Sequence, residues 1–365
     1  MPYPPPRSPA PGYPGPFPNY PPGYASYPPS YAPQPGYGVP PPPARGTLAP
    51  GIIPLRPLGL SDIFNGAAVY IRANRKATLG LTAVVVVITQ ILTLIAAVGP
   101  LAASSRLRTA PPDELTGGDV GVWLLSAGLT GFVGWLAGIL LTGMLTVIAG
   151  RAVLGSTIGA GETWARIRGR LSALLGLVAL ECAGLILLTG VVGLIVGTIA
   201  TAGNAAAAIV IGLPLVLAAV AAVVYLYTVL SFAPVLIVLE RLPVIDAMTR
   251  SFALVRNSFW RLLGIRLLTW VVVVFIAGAV AAPFDFLGHL LGGPTGSELL
   301  GATVGAVGSA IGRIITAPFS AGVIVLLYTD RRIRAEAFDL VLQTGAARGP
   351  AATASTDYLW LTRPA

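Results

Sequence analysis

The chain has 365 residues, of which 55% are hydrophobic and only 10% are charged, whereas an average soluble domain has roughly 25% charged residues. A folded chain of this length still exposes a large part of its surface, so one water-soluble core cannot bury this much apolar area. The composition therefore excludes an ordinary soluble enzyme. A single Cys excludes a disulfide framework, and a single His excludes a two-histidine metal site. We expect no cofactor.

Residues 1–50 differ from the rest of the chain. They contain 20 of the 33 Pro and 7 of the 12 Tyr, and their only charged residues are Arg7 and Arg45. A segment with so many prolines and no apolar periodicity favours neither helix nor sheet, so it is predicted to be disordered and partly polyproline II. We expect a disordered cytoplasmic tail over residues 1–57, a membrane domain over 58–344 and a C-terminal cytoplasmic tail over 345–365.

Six long apolar stretches follow the tail. Each is longer than the 18–20 residues that an α-helix needs to cross about 30 Å of hydrocarbon. Because lipid offers no hydrogen bonds to a polypeptide backbone, these stretches are predicted to be helices, and the fold class is an all-α integral membrane protein. In the fourth stretch, Pro214 and Pro234 are expected to kink or shorten the helix. The stretches cover roughly residues 77–103, 121–149, 171–200, 205–239, 262–288 and 299–328.

The basic residues are concentrated on one side of this predicted topology. Nineteen of the 23 lie before the first stretch, in the 150–170 and 240–261 connections, or after the last stretch. The positive-inside rule therefore places both termini in the cytoplasm, with the protein in a bacterial inner membrane. This topology accounts for the net charge of +9 without a nucleic-acid partner. The expected counter-charge is the anionic lipid of the inner leaflet.

A short pattern recurs where the odd-numbered stretches begin. Arg72, Arg168 and Arg256 each stand eight residues before a glycine that is flanked by aliphatic residues, and each Arg follows an amphipathic segment. We predict a unit of one cytoplasmic interfacial helix and a two-span hairpin, used three times, with these arginines contacting lipid headgroups. The alternative is that any inner-leaflet entry shows an arginine followed by apolar residues.

Four short motifs carry a resemblance to a known family. They are the segment 53–63, Phe232-Ala233-Pro234 with Glu240-Arg241, the segment 251–261, and 316–319 before Asp330-Arg331-Arg332. With these motifs, residues 52–340 resemble bacterial multi-pass proteins labelled after the membrane domain of glycerophosphoryl diester phosphodiesterases, many of which have Pro/Gly/Tyr-rich N-terminal tails. The resemblance implies a fold but little activity, because the catalytic part of such phosphodiesterases is a separate soluble barrel with two histidines.

Two charged residues lie deep in the predicted spans, Glu181 in the third and Arg313 in the sixth. A charge at the bilayer centre costs at least about 2.5–3.5 kcal/mol, so each is a candidate functional residue. Their expected depths differ by about 9 Å, which permits contact without requiring it. The alternatives are a structural ion pair, a transport or proton path, and two residues that do not meet.

These observations favour a non-enzymatic multi-pass membrane protein. Its Pro-rich tail is expected to recruit a protein partner or to self-associate through residues 1–50, where two Pro-Pro-x-Tyr matches occur. The competing hypothesis is a transporter or lipid-handling protein that uses Glu181 and Arg313. A membrane-embedded hydrolase would need convergent carboxylates or a Ser/His pair, and the sequence offers no such set.

Overall fold

The computed structural model describes residues 54, 56–109, 117–201, 205–292, 298–340 and 359–361. Within these ranges the chain is helical and contains no strand. Six of its helices are long and apolar enough to cross a membrane. The predicted all-helical fold with six possible spans is therefore confirmed. The predicted disordered tail and most of the predicted C-terminal tail lie outside the described residues, and the domain boundaries stay a prediction.

Three short helices alternate with pairs of long ones. The short helices are α1 (Leu60–Ala73), α4 (Ala160–Ile167) and α8 (Val244–Val255). The long helices are α2 (Arg75–Thr109), α3 (Gly117–Val153), α5 (Leu171–Thr201), α6 (Ala205–Val229), α9 (Phe259–Leu291) and α10 (Glu298–Glu336). The sixth long helix continues past the apolar stretch, which ends near residue 328, into a charged last turn.

Each short helix is amphipathic and ends at a break before the next long helix. The break after α1 is Asn74, and those after α4 and α8 are single 3₁₀ turns, Arg168–Arg170 and Arg256–Ser258. The first turn of α1 is fixed by Asp62, whose carboxylate accepts a 2.9 Å hydrogen bond from the Gly59 backbone N–H. The order of short and long elements therefore follows the sequence repeat.

The fourth span ends in an irregular segment. Helix α6 continues through Pro214 and ends at Val229, just before Pro234. A 3₁₀ turn (Leu230–Phe232) then leads into the short α7 (Ala233–Val235), which contains Pro234. A proline has no N–H to donate, so Pro234 interrupts the helical hydrogen bonds at that point. A π-helical turn (Leu236–Glu240) follows, and Arg241, with a φ of 59°, ends the segment.

The buried hydrophobic core lies near one end of the long helices. It contains the last three turns of α3, the first two turns of α5, the Val229–Leu239 segment and the stretch of α10 around Leu326. The remaining parts of α5 and α6 expose their aliphatic side chains almost fully; Ile186 and Leu187 are each 69% exposed. We call the packed end the polar end, because Arg151, Glu240 and Asp330 are buried there.

The α9 and α10 helices form an antiparallel pair in which their backbones nearly touch. A Cβ atom at Gly288 would lie 2.6 Å from the Gly301 carbonyl oxygen, and one at Gly312 would lie 3.2 Å from the Ala277 Cα. At the other end of the pair, Arg261 contacts Asp330. These contacts fix the register of the two helices along their whole length.

Candidate functional site

Glu240 is the centre of a charged network at the polar end. Its side chain is 0% exposed, and it ends the π-helical turn that follows the break at Pro234. The Arg250 Nε lies 2.7 Å from its Oε2 atom, and an Arg332 amino nitrogen lies 3.8 Å from its Oε1 atom. The Tyr328 hydroxyl donates a hydrogen bond to the same carboxylate. A buried carboxylate requires such partners, because desolvation would otherwise favour its neutral form.

The network continues along α10 to the C-terminal segment. Arg332 pairs with Glu336 at 2.9 Å, and Arg250 of α8 pairs with the other oxygen of the same carboxylate at 2.7 Å. Arg332 also donates a hydrogen bond of 3.1 Å to the Trp360 carbonyl. The Trp360 ring is 2% exposed and lies between those of Tyr328 and Phe338. Trp360 is thus bound to α10 and to Phe338 by both polar and aromatic contacts.

A second buried carboxylate, Asp330, fixes the chain just before α1. Asp330 accepts a 2.8 Å hydrogen bond from the Leu58 backbone N–H and pairs with Arg261 at 3.0 Å and Arg334 at 2.9 Å. Both arginines also donate to the Leu58 carbonyl, at 2.9 Å and 3.2 Å. Leu58 itself is 0% exposed. The Leu58 backbone is therefore held by three hydrogen bonds, and two ion pairs fix the side chains that make them.

The sequence motifs that carried the family resemblance contribute to these contacts. Arg331 donates to the Leu254 carbonyl at 3.1 Å and to the Ser258 hydroxyl at 2.6 Å, which links α10 to the break after α8. Glu240, Asp330 and Arg332 are the network residues described above. In this structure the motifs connect the helices to one another. Within the described ranges, no group of three or more His, Cys, Asp or Glu side chains could hold a metal ion.

The structure brings Glu181 close to Arg266. Glu181 is half-buried on α5, and the Arg266 guanidinium on α9 lies near enough to interact with it electrostatically. Arg266 also donates a 3.0 Å hydrogen bond to the Tyr227 carbonyl and stacks 4.1 Å above the Tyr227 ring. Arg266 was not among the predicted intramembrane charges. The sequence does place it inside the fifth apolar stretch, which would have indicated it.

Arg313, the other predicted intramembrane charge, lies further along the bundle. Gly312, the residue before Arg313, lies beside Ala277 of α9. Ala277 is 11 residues after Arg266 in that helix, so Arg313 and Arg266 are about 16 Å apart along the helix axis. Its side chain is exposed, and within the described residues it makes no hydrogen bond or ion pair. The structure therefore does not bring Glu181 and Arg313 together.

The three predicted lipid-contacting arginines share one position in the fold. Arg72 lies in the last turn of α1, while Arg168 and Arg256 begin the 3₁₀ turns after α4 and α8. All three side chains are exposed. Trp164 in α4 and Trp260 in α9 are exposed near the last two, at 48% and 80%. Exposed tryptophan beside arginine is typical of a membrane–water interface.

The architecture is that of a multi-pass membrane protein, with six helices able to span a bilayer. The chain belongs to a family described as a domain of unknown function, DUF7847, whose profile matches residues 118–331, more than half of the chain. The label taken from the glycerophosphoryl diester phosphodiesterase membrane domain is not confirmed. No curated protein and no solved structure matches the chain.

Proposed function

We propose that this protein is a non-enzymatic scaffold of a bacterial inner membrane, with the polar end and both termini in the cytoplasm. In this arrangement the six spans form three hairpins, and α1, α4 and α8 lie at the inner interface. The one-sided distribution of the basic residues supports the orientation. The exposed tryptophans beside Arg168 and Arg256 support the interfacial position of the breaks.

The anchoring of Leu58 is the observation that carries the scaffold role. The residues before it have the composition of a recruiting tail, and Asp330, Arg261 and Arg334 hold Leu58 by its backbone. A flexible chain of 57 residues has a root-mean-square reach of about 40 Å. A tail fixed at one point would therefore present its Tyr and Pro side chains within a defined distance of the membrane surface.

The partner chemistry follows from the tail composition. Repeated Pro and Tyr side chains bind aromatic-lined grooves weakly, and several weak sites on one chain raise the overall affinity. We propose that the tail binds a protein with such grooves or associates with other copies of itself. The resemblance to the phosphodiesterase-associated proteins, with their similar tails, agrees with this role and adds no activity to it.

Deletion of residues 2–45 in the native cell tests the scaffold role. We expect the shortened protein to stay in the membrane but to lose its crosslinked partners, as identified by mass spectrometry. A matched control keeps the tail length and replaces its seven Tyr with Ser, which should reduce crosslinking in part. If the deletion leaves both partners and localisation unchanged, the scaffold role is wrong.

A second candidate function rests on the position of Glu181 near Arg266. We propose as the alternative a transporter or lipid-handling protein that uses the intramembrane charges of Glu181 and Arg313, with Arg266 close to Glu181. The contact of Arg266 with the Tyr227 ring and carbonyl would hold the guanidinium in place for that purpose. Intramembrane charges are costly and for that reason are often functional.

Replacement by leucine distinguishes transport from a structural pair. If the residues transport a solute, Glu181→Leu should abolish flux in reconstituted vesicles while the protein remains folded and inserted. If they form a structural pair, the same variant should lower the yield of folded protein. Arg313→Leu tests the second residue separately: this exposed arginine makes no ion pair within the described residues, so a loss of flux in this variant would indicate transport.

A further inference from the structure

A cavity of about 490 Å³ opens at the polar end between α3, α4 and the π-helical turn. This volume lies within the range of roughly 300–1,000 Å³ that is typical of small-molecule sites. Val147, Val238, Leu239 and Trp360 supply apolar surface to its wall. The Glu240 and Asp330 carboxylates do not line the cavity, although Trp360, which contacts Arg332 and Tyr328 of the Glu240 network, does.

Four arginines line the same cavity: Arg151, Arg166, Arg170 and Arg241. They come from three parts of the chain, namely the end of α3, the end of α4 with the 3₁₀ turn that follows it, and the residue after the π-helical turn. Arg151 and Arg241 lie near enough to Arg166 to repel its charge. Folding brings these like charges together, and an anion placed among them would remove the repulsion.

Among the described contacts of these arginines, the Glu162 carboxylate accompanies two of them from outside the cavity wall. Glu162 pairs with Arg166 at 2.8 Å and with Arg151 at 3.4 Å through the same oxygen atom. Within the described residues, Arg170 and Arg241 pair with no carboxylate. Their one mutual contact is a 3.4 Å hydrogen bond from the Arg170 guanidinium to the Arg241 carbonyl.

The backbone at Arg241 gives an independent indication of function. Its φ of 59° lies in the left-handed region, which favours glycine or asparagine over arginine. A side chain kept in an unfavourable backbone conformation points to a role beyond folding. Arg241 is also exposed while lining the cavity, so a ligand can reach its guanidinium from outside.

We propose that this cavity binds a phosphate group carried by a partly apolar molecule. Planar guanidinium groups match phosphate oxygens with paired, charge-assisted hydrogen bonds, and Arg170 and Arg241 are placed to supply them. The aliphatic side chains and Trp360 would contact the apolar part of the ligand. The phosphate comes either from an anionic lipid headgroup or from a soluble phosphate ester. The proposal does not rest on the scaffold role, because it is argued from described lining residues of the helical part of the chain.

The test uses the full-length protein in phosphatidylcholine nanodiscs. Two arms measure binding: retention of added phosphatidylglycerol by native mass spectrometry, and stabilisation against heat by glycerol phosphate relative to chloride at equal ionic strength. Retention alone identifies a lipid headgroup, and stabilisation by glycerol phosphate identifies a soluble ester. Either result supports the proposal, and the absence of both overturns it.

Variants separate binding from folding. Arg241→Asn should weaken binding about tenfold, the effect of one lost charge-assisted contact, while the unfolding temperature in the absence of ligand stays equal or rises, because asparagine tolerates a positive φ. Arg170→Gln should weaken binding by a similar factor. The control variants Arg56→Gln and Arg75→Gln, at arginines that do not line the cavity and are not predicted lipid contacts, should bind as the unmodified protein does. Equal losses in the control variants would overturn the proposal.

Discussion

The strongest prediction concerns Glu240, whose charge is buried and shared by two arginines. In Glu240→Gln the carboxylate becomes a neutral amide of the same size, so packing is retained while the charge is lost. Arg332, 5% exposed at its side chain, would then lose one of its two carboxylate partners, and Arg250 would lose a 2.7 Å ion pair. The partially uncompensated cations are the expected source of destabilisation.

The expected loss in the free energy of unfolding follows from comparing Glu240 with Glu162, a second carboxylate that also pairs with two arginines but is less buried. Removing one partner of a buried ion pair costs about 3–5 kcal/mol, so Glu240→Gln should lower the free energy of unfolding by about that amount. Glu162 also pairs with two arginines, but its side chain is 51% exposed. Solvent screens the Glu162 carboxylate, although its partner Arg151 is 8% exposed, so Glu162→Gln should cost about 1 kcal/mol, less than Glu240→Gln.

Reversible unfolding in mixed detergent micelles measures both variants against the unmodified protein. Far-UV circular dichroism follows the helices, and tryptophan fluorescence follows the environments of the six tryptophans, among them Trp360, which contacts Tyr328 in the same network. A third variant, Glu240→Asp, keeps the charge and should recover part of the stability. Equal losses for Glu240→Gln and Glu162→Gln would refute the argument that burial determines the cost.

Three further predictions test the packing and the topology. Gly288→Ala should lower the free energy of unfolding by about 1–3 kcal/mol, because the new Cβ would overlap the backbone of α10. Gly264→Ala, which meets nothing within 4 Å, should cost nothing by the same assay. Trp360→Ala should release the C-terminal segment and lower the stability by about 3 kcal/mol or more, detected as faster proteolysis near that end. In intact cells a membrane-impermeant thiol reagent should label Thr116→Cys but not Ser30→Cys; the reverse pattern would refute the proposed orientation.

The number of spans and the positions of the breaks could be predicted from the sequence because both are local properties. A helix needs a minimum apolar length to cross a bilayer, and each long apolar stretch in this chain exceeds it. Arg72, Arg168 and Arg256 indicated where the short helices end, since an arginine among apolar residues tends to stay at the interface. Pro234 likewise indicated the break after α6.

The pairing of the charges could not be predicted, because it depends on the relative position of distant helices. Depths estimated from the helix ends placed Glu181 and Arg313 close enough in the membrane to permit contact. In the structure Glu181 lies near Arg266 instead, and the register of α9 and α10 separates Arg313 from Arg266 by about 16 Å. That register is set by close backbone contacts such as Gly288 with Gly301. Small-residue spacings are too frequent in a chain with 44 Gly to indicate which of them forms a contact.

The location of the core has a physical explanation in the proposed topology. In hydrocarbon, apolar helix surfaces gain little by packing on one another, because lipid chains solvate them equally well. The exposed aliphatic faces of α5 and α6 are therefore compatible with a stable fold. At the polar end, water restores the hydrophobic driving force, and buried carboxylates such as Glu240 and Asp330 require fixed partners. Stability should accordingly be concentrated there: Glu240→Gln should loosen the polar end while the protein stays inserted in the membrane.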